Sequence, residues 1–235
     1  MPRSGSTLVD QVVSVHPEST NLGECTYFQA GLMRVASSPR DPVTFGGRAL
    51  SEEESKSVFA HYGQLAFPAN ESTSVVVDKN LFNHLHIGQI LQVFPRAKII
   101  WTRRDPRDIC VSCYTIDFAG PYGFTDDLGA LARHCNLVEK LMRFWQKRYP
   151  GNIHIVKYED MVADPERQIR ALTEFCGFPW DECYLSFHQQ QRTVATASYN
   201  QVNQPIYTGA RGRWRHYEKH LGPLLAELEI PVDYR

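Results

Sequence analysis

The chain has 235 residues, of which 43% are hydrophobic and 22% charged, a composition typical of a soluble globular protein. The formal net charge of −1 excludes a global basic field for nucleic acid or an anionic membrane, so an anion site must be built from local lysines and arginines. No apolar run approaches the roughly 20 residues that cross a bilayer, and the first residues lack a signal-peptide pattern.

The first eight residues combine a tight turn with the start of a helix. Arg3 brings positive charge, Gly5 permits the turn, and apolar residues at helical spacing predict a helix over 6–15. The first N–H groups of a helix lack internal partners and carry the positive end of its dipole, so the turn is typical of an anion cradle. It is not a Walker A loop, because the second glycine and the lysine are missing. Taken alone, the turn also fits an ordinary Ser/Thr N-cap.

Helical and strand patterns then alternate along the chain. Helices are predicted at 27–35, 51–67, 83–94, 106–116, 127–149, 164–177, 181–188 and 213–229, the last with a break at Gly222-Pro223. Apolar, β-branched runs predict buried strands at 74–78, 97–101 and 153–158. This alternation predicts an α/β domain with a P-loop-like parallel sheet flanked by helices on both faces.

The cradle begins at residue 2, whereas an anion-binding turn of an α/β protein follows a buried strand. We therefore expect a single domain over 1–235 that lacks its first strand, or an upstream domain, of a longer protein.

Polar groups follow the predicted strands at their carboxyl ends. Open α/β sheets bind ligands at this edge. These groups are Arg3, Ser4, Gly5, Ser6, Thr7, Lys79, Arg103, Arg104, Ser112, Tyr158 and Glu159. Basic and hydroxyl side chains dominate, which indicates a ligand with several phosphate groups.

The six cysteines are scattered through apolar surroundings. Cys110 and Cys113 form the one tight pair, within a predicted helix and without a second pair at zinc spacing. We predict structural or free thiols, no metal, and a reducing, cytoplasmic compartment.

Five motifs together resemble the sulfotransferases that use 3′-phosphoadenosine 5′-phosphosulfate (PAPS), in particular the branch that resembles tyrosylprotein sulfotransferases, whose bacterial members are often fused to tetratricopeptide repeats. The motifs are the opening Pro-Arg-Ser-Gly-Ser-Thr-Leu, Asp78-Lys79-Asn80, residues 103–114, Val156 to Met161, and Gly209 to Trp214. The loop at Gly23-Glu24 and the stretch from Ser198 to Pro205 support that branch.

The resemblance implies a role for each matching position. Residues Arg3, Ser4, Gly5, Ser6 and Thr7 would bind the 5′-phosphosulfate, and Arg104 and Ser112 the 3′-phosphate. Tyr158 would lie along the nucleotide, with Ser198 and the loop before Arg213 closing over it. Lys79 would contact the bridging oxygen and the sulfuryl group, and Glu24 would act as the base.

This chain departs from the family at the residues where the family has its catalytic base. The family's loop is of the Gly-Glu-Glu type, whereas this chain reads Gly23-Glu24-Cys25. If the second glutamate is the family's base, Cys25 occupies its position.

The resemblance implies PAPS and a hydroxyl-bearing acceptor as partners. We expect no binding to nucleic acid or to a membrane, and a homodimer stays open. A protein tyrosine is the favoured acceptor, and carbohydrate or small-molecule hydroxyls stay open. Arg34, Arg40 and Arg48 fall in a segment that would border an acceptor cleft and would suit an acidic peptide. The alternatives are a P-loop kinase with Asp78 as a magnesium ligand, and an inactive nucleotide-binding remnant.

Overall fold

Parallel strand pairing organises the fold. The computed structural model describes residues 1–67, 75–118, 122–189 and 209–234. Strand β1 (Ser19–Asn21) pairs with β2 (Val75–Val77), and β3 (Ile99–Arg103) pairs with β4 (Ile153–Lys157), both pairs in parallel. The predicted α/β fold with parallel strands is confirmed, but in the described part of the chain the strands form two half-sheets, β1–β2 and β3–β4, instead of one sheet.

Helices connect and cover the strands. They are α1 (Ser6–Val13), α2 (Tyr27–Val35), α3 (Glu52–Ala66), α4 (Ile87–Val93), α5 (Pro106–Tyr114), α6 (Leu128–Arg148), α7 (Tyr158–Ala163), α8 (Pro165–Cys176) and α9 (Gly222–Glu227). Short 3-10 helices lie at Pro42–Phe45, Asn83–Leu85, Gly123–Thr125, Glu182–Gln189, Arg213–His220 and Val232–Tyr234. Among the helices of the described ranges, none has both the length and the apolar character to cross a bilayer.

Local capping chemistry sets several helix boundaries. Ser51 and Glu54 form the capping box that opens α3. The Asp105 side chain accepts a hydrogen bond from the N–H of Arg107, with Pro106 in the first turn of α5. Gly177 ends α8 in the left-handed conformation, with φ of 81°.

Strand β1 was not predicted. Its sequence, Ser19-Thr20-Asn21, has none of the apolar residues that mark a buried strand. It forms because it pairs residue by residue with β2, from Ser19 opposite Val75 to Asn21 opposite Val77. Some predicted bounds also shift: the strand predicted at 97–101 runs over Ile99–Arg103, and the helix predicted at 83–94 begins at Ile87 after a 3-10 turn. The predicted break at Gly222 is confirmed, since a 3-10 helix ends at His220 and α9 begins at Gly222.

Two apolar clusters cover opposite faces of the strands. Val77 packs against a cluster built largely from α1 and α8, whereas its neighbour Val76 packs against a cluster from α2, α3 and α4. Successive side chains of a strand point to opposite faces, so these contacts place helices on both sides. All six cysteines are free, and Cys110, Cys113 and Cys135 are buried in a third cluster between α5 and α6.

The C-terminal segment is held against the half-sheet β3–β4 by Asp233. Its Oδ2 lies 2.6 Å from Nη1 of Arg103 and 2.9 Å from Nζ of Lys157. Although burial opposes its ionisation, the hydrogen bonds from Arg103 and Lys157 lower the pKa of Asp233 to about 2. A carboxyl group whose pKa is lowered by folding stabilises the fold above its unfolded pKa, and this contribution is lost as the pH falls through the folded value.

We expect Asp233→Asn to lower the free energy of unfolding at pH 7 by about 0.5–1.5 kcal/mol, because the carboxylate is partly exposed and its ion pairs are partly screened. The difference from the unmodified chain should shrink between about pH 4 and pH 2, where the native carboxylate is also protonated. Urea denaturation at pH 7, 4 and 3 measures the free energy of unfolding of both chains. Glu229→Gln, which removes an exposed ion pair to Lys140, is the control and should change little; a pH-independent difference for Asp233→Asn would contradict the assignment.

Candidate active site

The opening turn forms a cradle at the end of β3. Gly5 has a φ of 98° and directly precedes α1, so the turn delivers the chain into a helix N-terminus. A Cβ on Gly5 would lie 3.1 Å from Cδ2 of Tyr158, a tight contact, and the positive φ also favours glycine. The Ser4 hydroxyl, buried, lies 2.7 Å from Oγ1 of Thr102 and donates to the carbonyl of Met1 at 2.9 Å. The Ser4 side chain therefore fastens the cradle to β3.

Arginine side chains join the cradle to α5. Nε of Arg3 donates to Oγ of Ser112 at 2.9 Å, and Nη1 of Arg104 donates to the carbonyl of Arg3 at 3.2 Å. The Arg104 guanidinium also lies 4.8 Å from the ring centre of Tyr158. Five residues that the sequence assigned to one nucleotide are thus brought together: Arg3, Gly5, Arg104, Ser112 and Tyr158.

The same arrangement fits an anionic ligand. Nε of Arg104 is buried and has no hydrogen-bond partner among the described residues. A buried guanidinium N–H without a partner favours a negatively charged ligand. This N–H and the backbone at Gly5, which has no side chain to obstruct it, together offer hydrogen-bond donors to a phosphate-bearing molecule.

A lysine and a glutamate meet at the ends of β1 and β2. Nζ of Lys79 lies 2.6 Å from Oε1 of Glu24, and the lysine side chain is 8% exposed against 37% for the glutamate. The N–H of Lys79 donates to the carbonyl of Gly23 at 2.9 Å, which extends the parallel pairing up to the two side chains. The register of β1 and β2 therefore sets the pair.

Asn21 connects this pair to the cradle helix, a role that sequence reasoning missed. Its Nδ2 donates to Oδ1 of Asp10 on α1 at 2.8 Å, and its Oδ1 accepts from the N–H of Gly23 at 2.7 Å. The predicted loop carrying Glu24 is thus held on α1. An asparagine two residues before a glycine was the available signal, since such side chains often bond the backbone two residues on.

Cys25 is a poor candidate for a base. Burial raises the pKa of its thiol to about 12, and the negative charge of Asp78 contributes. Asp78 itself is engaged by protein groups: it accepts from the Tyr62 hydroxyl at 3.2 Å and from Nδ2 of Asn83 at 2.9 Å. These contacts give Asp78 a structural environment instead of the open one that a magnesium ligand needs.

The segment that starts at Gly209 is anchored on α5 by Asp108, another residue that sequence reasoning left without a role. Its carboxylate, with 1% exposure, accepts from the N–H groups of Gly212 at 2.6 Å and Trp214 at 2.9 Å. Arg104 adds a hydrogen bond from Nη2 to the carbonyl of Ala210. Arg213 lies exposed in this segment, while Ser198, a predicted site residue, lies outside the described residues.

We expect Asp108→Asn to speed amide hydrogen exchange at Gly212 and Trp214 by about tenfold or more, because a hydrogen bond to a buried charge contributes roughly 1.5–3 kcal/mol. Exchange measured by mass spectrometry on the intact chain tests this. Asp117→Asn, at an exposed aspartate after the same helix, is the control. Equal exchange in the two variants would show that Asp108 does not hold the segment.

Comparisons with known proteins identify the family of the chain. The family model described as "Sulfotransferase family" matches residues 1–182. An uncharacterized protein of Aquifex aeolicus is 33% identical over 97% of this chain, which spans 31% of that protein. A putative protein-tyrosine sulfotransferase of Caenorhabditis briggsae is 25% identical over 80% of this chain and 67% of its own length. The crystal structure of sulfotransferase STF9 from Mycobacterium avium shares the fold, with a TM-score of 0.51 at 17% identity over 100% of this chain and 76% of that one. The chain belongs to the sulfotransferase family.

Proposed function

We propose that this chain transfers a sulfuryl group from PAPS to an acceptor hydroxyl, with a protein tyrosine as the favoured acceptor. The observation that carries the proposal is the 2.6 Å contact between Lys79 and Glu24. Lys79 lines the same cavity as Ser4 and Ser6 of the cradle. A lysine that lines this cavity, the carboxylate that it contacts and a helix N-terminus are the groups that this transfer uses.

The donor would be held by the residues already gathered around the cradle. The N–H groups at the start of α1 and the charge of Arg3 suit the 5′-phosphosulfate. Arg104 and Ser112 suit the 3′-phosphate, since a charge-assisted hydrogen bond from guanidinium to phosphate is among the stronger polar contacts. Tyr158 would lie along the nucleotide. Family membership and the unpartnered Nε of Arg104 support this assignment.

The reaction moves one group and one proton. The acceptor oxygen forms a bond to sulfur as the bond between sulfur and the bridging oxygen breaks, and the 3′,5′-bisphosphate leaves with the negative charge. Lys79 would stabilise that charge as it develops on the bridging oxygen. Glu24, more exposed than its partner, would accept the proton of the attacking hydroxyl.

An aromatic cluster beside the Lys79–Glu24 pair supports a phenolic acceptor. Tyr122 stacks on Phe82 with ring centres 5.7 Å apart, and Phe118 lies 5.1 Å from Tyr122. Burial raises the pKa of Tyr122 and the charge of Glu24 adds to the shift, so the ring lies within electrostatic reach of the proposed base. A flat aryl ring packs well against such a surface. The similarity to a putative protein-tyrosine sulfotransferase points the same way.

Of the three arginines suggested for an acidic peptide, Arg48 is already engaged. It contacts Asp41 at 3.1 Å and Glu54 at 2.8 Å. Arg34 and Arg40 are exposed. The acceptor proposal therefore rests on the aromatic cluster and not on these arginines.

The direct test is transfer of labelled sulfate from PAPS to a tyrosine peptide, a simple phenol and an oligosaccharide, with release of the 3′,5′-bisphosphate measured in parallel. We expect label on the peptide and the phenol in amounts equal to the bisphosphate released. Label on the oligosaccharide alone would overturn the acceptor assignment. Bisphosphate binding without transfer to any acceptor would favour an inactive remnant, and magnesium-dependent ATP turnover would favour a kinase.

We expect Glu24→Gln to lower kcat by about 10²–10⁴-fold with little change in nucleotide affinity, because it removes the proton acceptor but no proposed donor contact. Steady-state transfer and calorimetry with the 3′,5′-bisphosphate measure the two quantities. Glu53→Gln, on an exposed position of α3, is the matched control. Full turnover in Glu24→Gln would place the base elsewhere.

We expect Arg104→Ala to weaken binding of the 3′,5′-bisphosphate by about tenfold or more, since it removes a charge-assisted contact. Adenosine 5′-phosphate, which lacks the 3′-phosphate, should lose less affinity in the same variant. Arg167→Ala, at an exposed position of α8, controls for loss of positive charge. Unchanged affinity for the bisphosphate would remove Arg104 from the proposed site.

A further inference from the structure

The side-chain amide of Asn80 holds the loop that carries Glu24. Its Nδ2 donates to the carbonyl of Cys25, the residue after Glu24, at 2.6 Å, and its Oδ1 accepts from the N–H of Phe82 at 2.9 Å. These partners fix the orientation of the amide, because the Cys25 carbonyl needs a donor and the Phe82 N–H needs an acceptor. One side chain therefore joins two segments that lie 55 residues apart in the chain.

The ion pair of Glu24 and Lys79 lies between two hydrogen bonds. On one side the N–H of Lys79 donates to the carbonyl of Gly23 at 2.9 Å, and on the other side Nδ2 of Asn80 donates to the carbonyl of Cys25. The residues before and after Glu24 are thus both held against the segment that carries Lys79. The first bond joins main-chain groups and is open to any residue except proline, whereas the second depends on the side chain at position 80.

Asp78 holds the backbone from which this amide projects. Its Oδ1 accepts from the N–H of Asn80 at 3.0 Å and from Nδ2 of Asn83 at 2.9 Å. The N–H of Asn83 in turn donates to the carbonyl of Asn80 at 3.1 Å. The same turn carries Phe82 of the aromatic cluster. The amide therefore connects the proposed base to the surface that we propose for the acceptor.

We propose that Asn80 is a positioning residue for the transfer: its amide holds the Glu24 carboxylate beside Lys79 and the aromatic cluster, where the acceptor proton is taken. This inference rests on the proposed function, in which Glu24 is the base. A base must lie within hydrogen-bond reach of its proton, and a displacement of about 1 Å can cost roughly a hundredfold in rate. Because Glu24 is more exposed than Lys79, its position depends more on the loop backbone than on packing of its side chain.

The first test does not depend on activity. Asn80→Asp keeps an acceptor for the N–H of Phe82 but loses the donor to Cys25, and Asn80→Ala loses both. Amide hydrogen exchange is followed by NMR on the intact chain. We expect the N–H of Lys79 to exchange about threefold faster or more in both variants, and the N–H of Phe82 to exchange faster only in Asn80→Ala. Unchanged exchange at Lys79 in both variants would show that the amide does not hold the loop.

The second test measures transfer from PAPS to a simple phenol. We expect Asn80→Ala to lower kcat by about tenfold to a hundredfold and to change the affinity for the 3′,5′-bisphosphate by less than about twofold. With Glu24→Gln already in place, the same substitution should lower kcat by less than about twofold, because the group that it positions is no longer a base. An equal loss in both backgrounds would overturn the proposal, since it would indicate a general structural effect. If Asn80→Ala does not fold, Asn80→Asp gives the same comparison.

Asn136→Asp is the matched control. Nδ2 of Asn136 donates to the carbonyl of Glu227 at 2.8 Å and its Oδ1 accepts from the N–H of Glu229 at 2.9 Å, the same two kinds of contact outside the candidate site. This variant should leave kcat unchanged. If the unmodified chain transfers no sulfate, the proposed function fails and the positioning role fails with it. Transfer that both Asn80 variants leave unchanged would overturn the positioning role alone.

Discussion

The buried guanidinium of Arg104 is the contact on which the candidate site depends. It contacts two segments that each lie about 100 residues from it in the chain. One contact is to the carbonyl of Arg3, at a separation of 101 residues, and the other is to the carbonyl of Ala210, at a separation of 106. Asp108, four residues after Arg104 and within α5, lies 3.8 Å from the guanidinium and holds the segment that contains Ala210. A positive charge at this depth requires several acceptors, and main-chain carbonyls supply them. The cradle, α5 and the 209–214 segment are thereby held around one charge.

The Lys79–Glu24 pair is built from the other half-sheet. Its geometry follows from the pairing of β1 with β2, which continues through Gly23 to Lys79. Asn21 and Asp10 then connect this half-sheet to α1. The candidate site therefore spans both half-sheets, and the cradle helix α1 packs in a cluster that contacts both.

Asp108, which is buried, and Asp78, which is half-buried, serve the architecture, whereas the proposed base is more exposed. Asp108 and Asp78 accept several hydrogen bonds from the protein. Glu24 keeps 37% of its side chain exposed and forms an ion pair with Lys79. A carboxylate that must exchange a proton with a substrate needs this access, while a carboxylate that anchors backbone N–H groups is most effective when it is sheltered.

The sequence by itself determined the fold class, the cradle with its helix, the caps of α3 and α5, and the group of cationic residues at the strand ends. These features depend on local residue types and on periodicity, which are visible in any short window of the chain. Only the tertiary structure decided that Ser19–Asn21 is a strand, that Cys25 is a half-buried thiol with a raised pKa beside Asp78, and that Asp108 holds the backbone of Gly212 and Trp214. Each of these depends on a partner far away in the sequence, because strand pairing, burial and the hydrogen bonds of a buried charge are set by neighbours in space and not by neighbours in the chain.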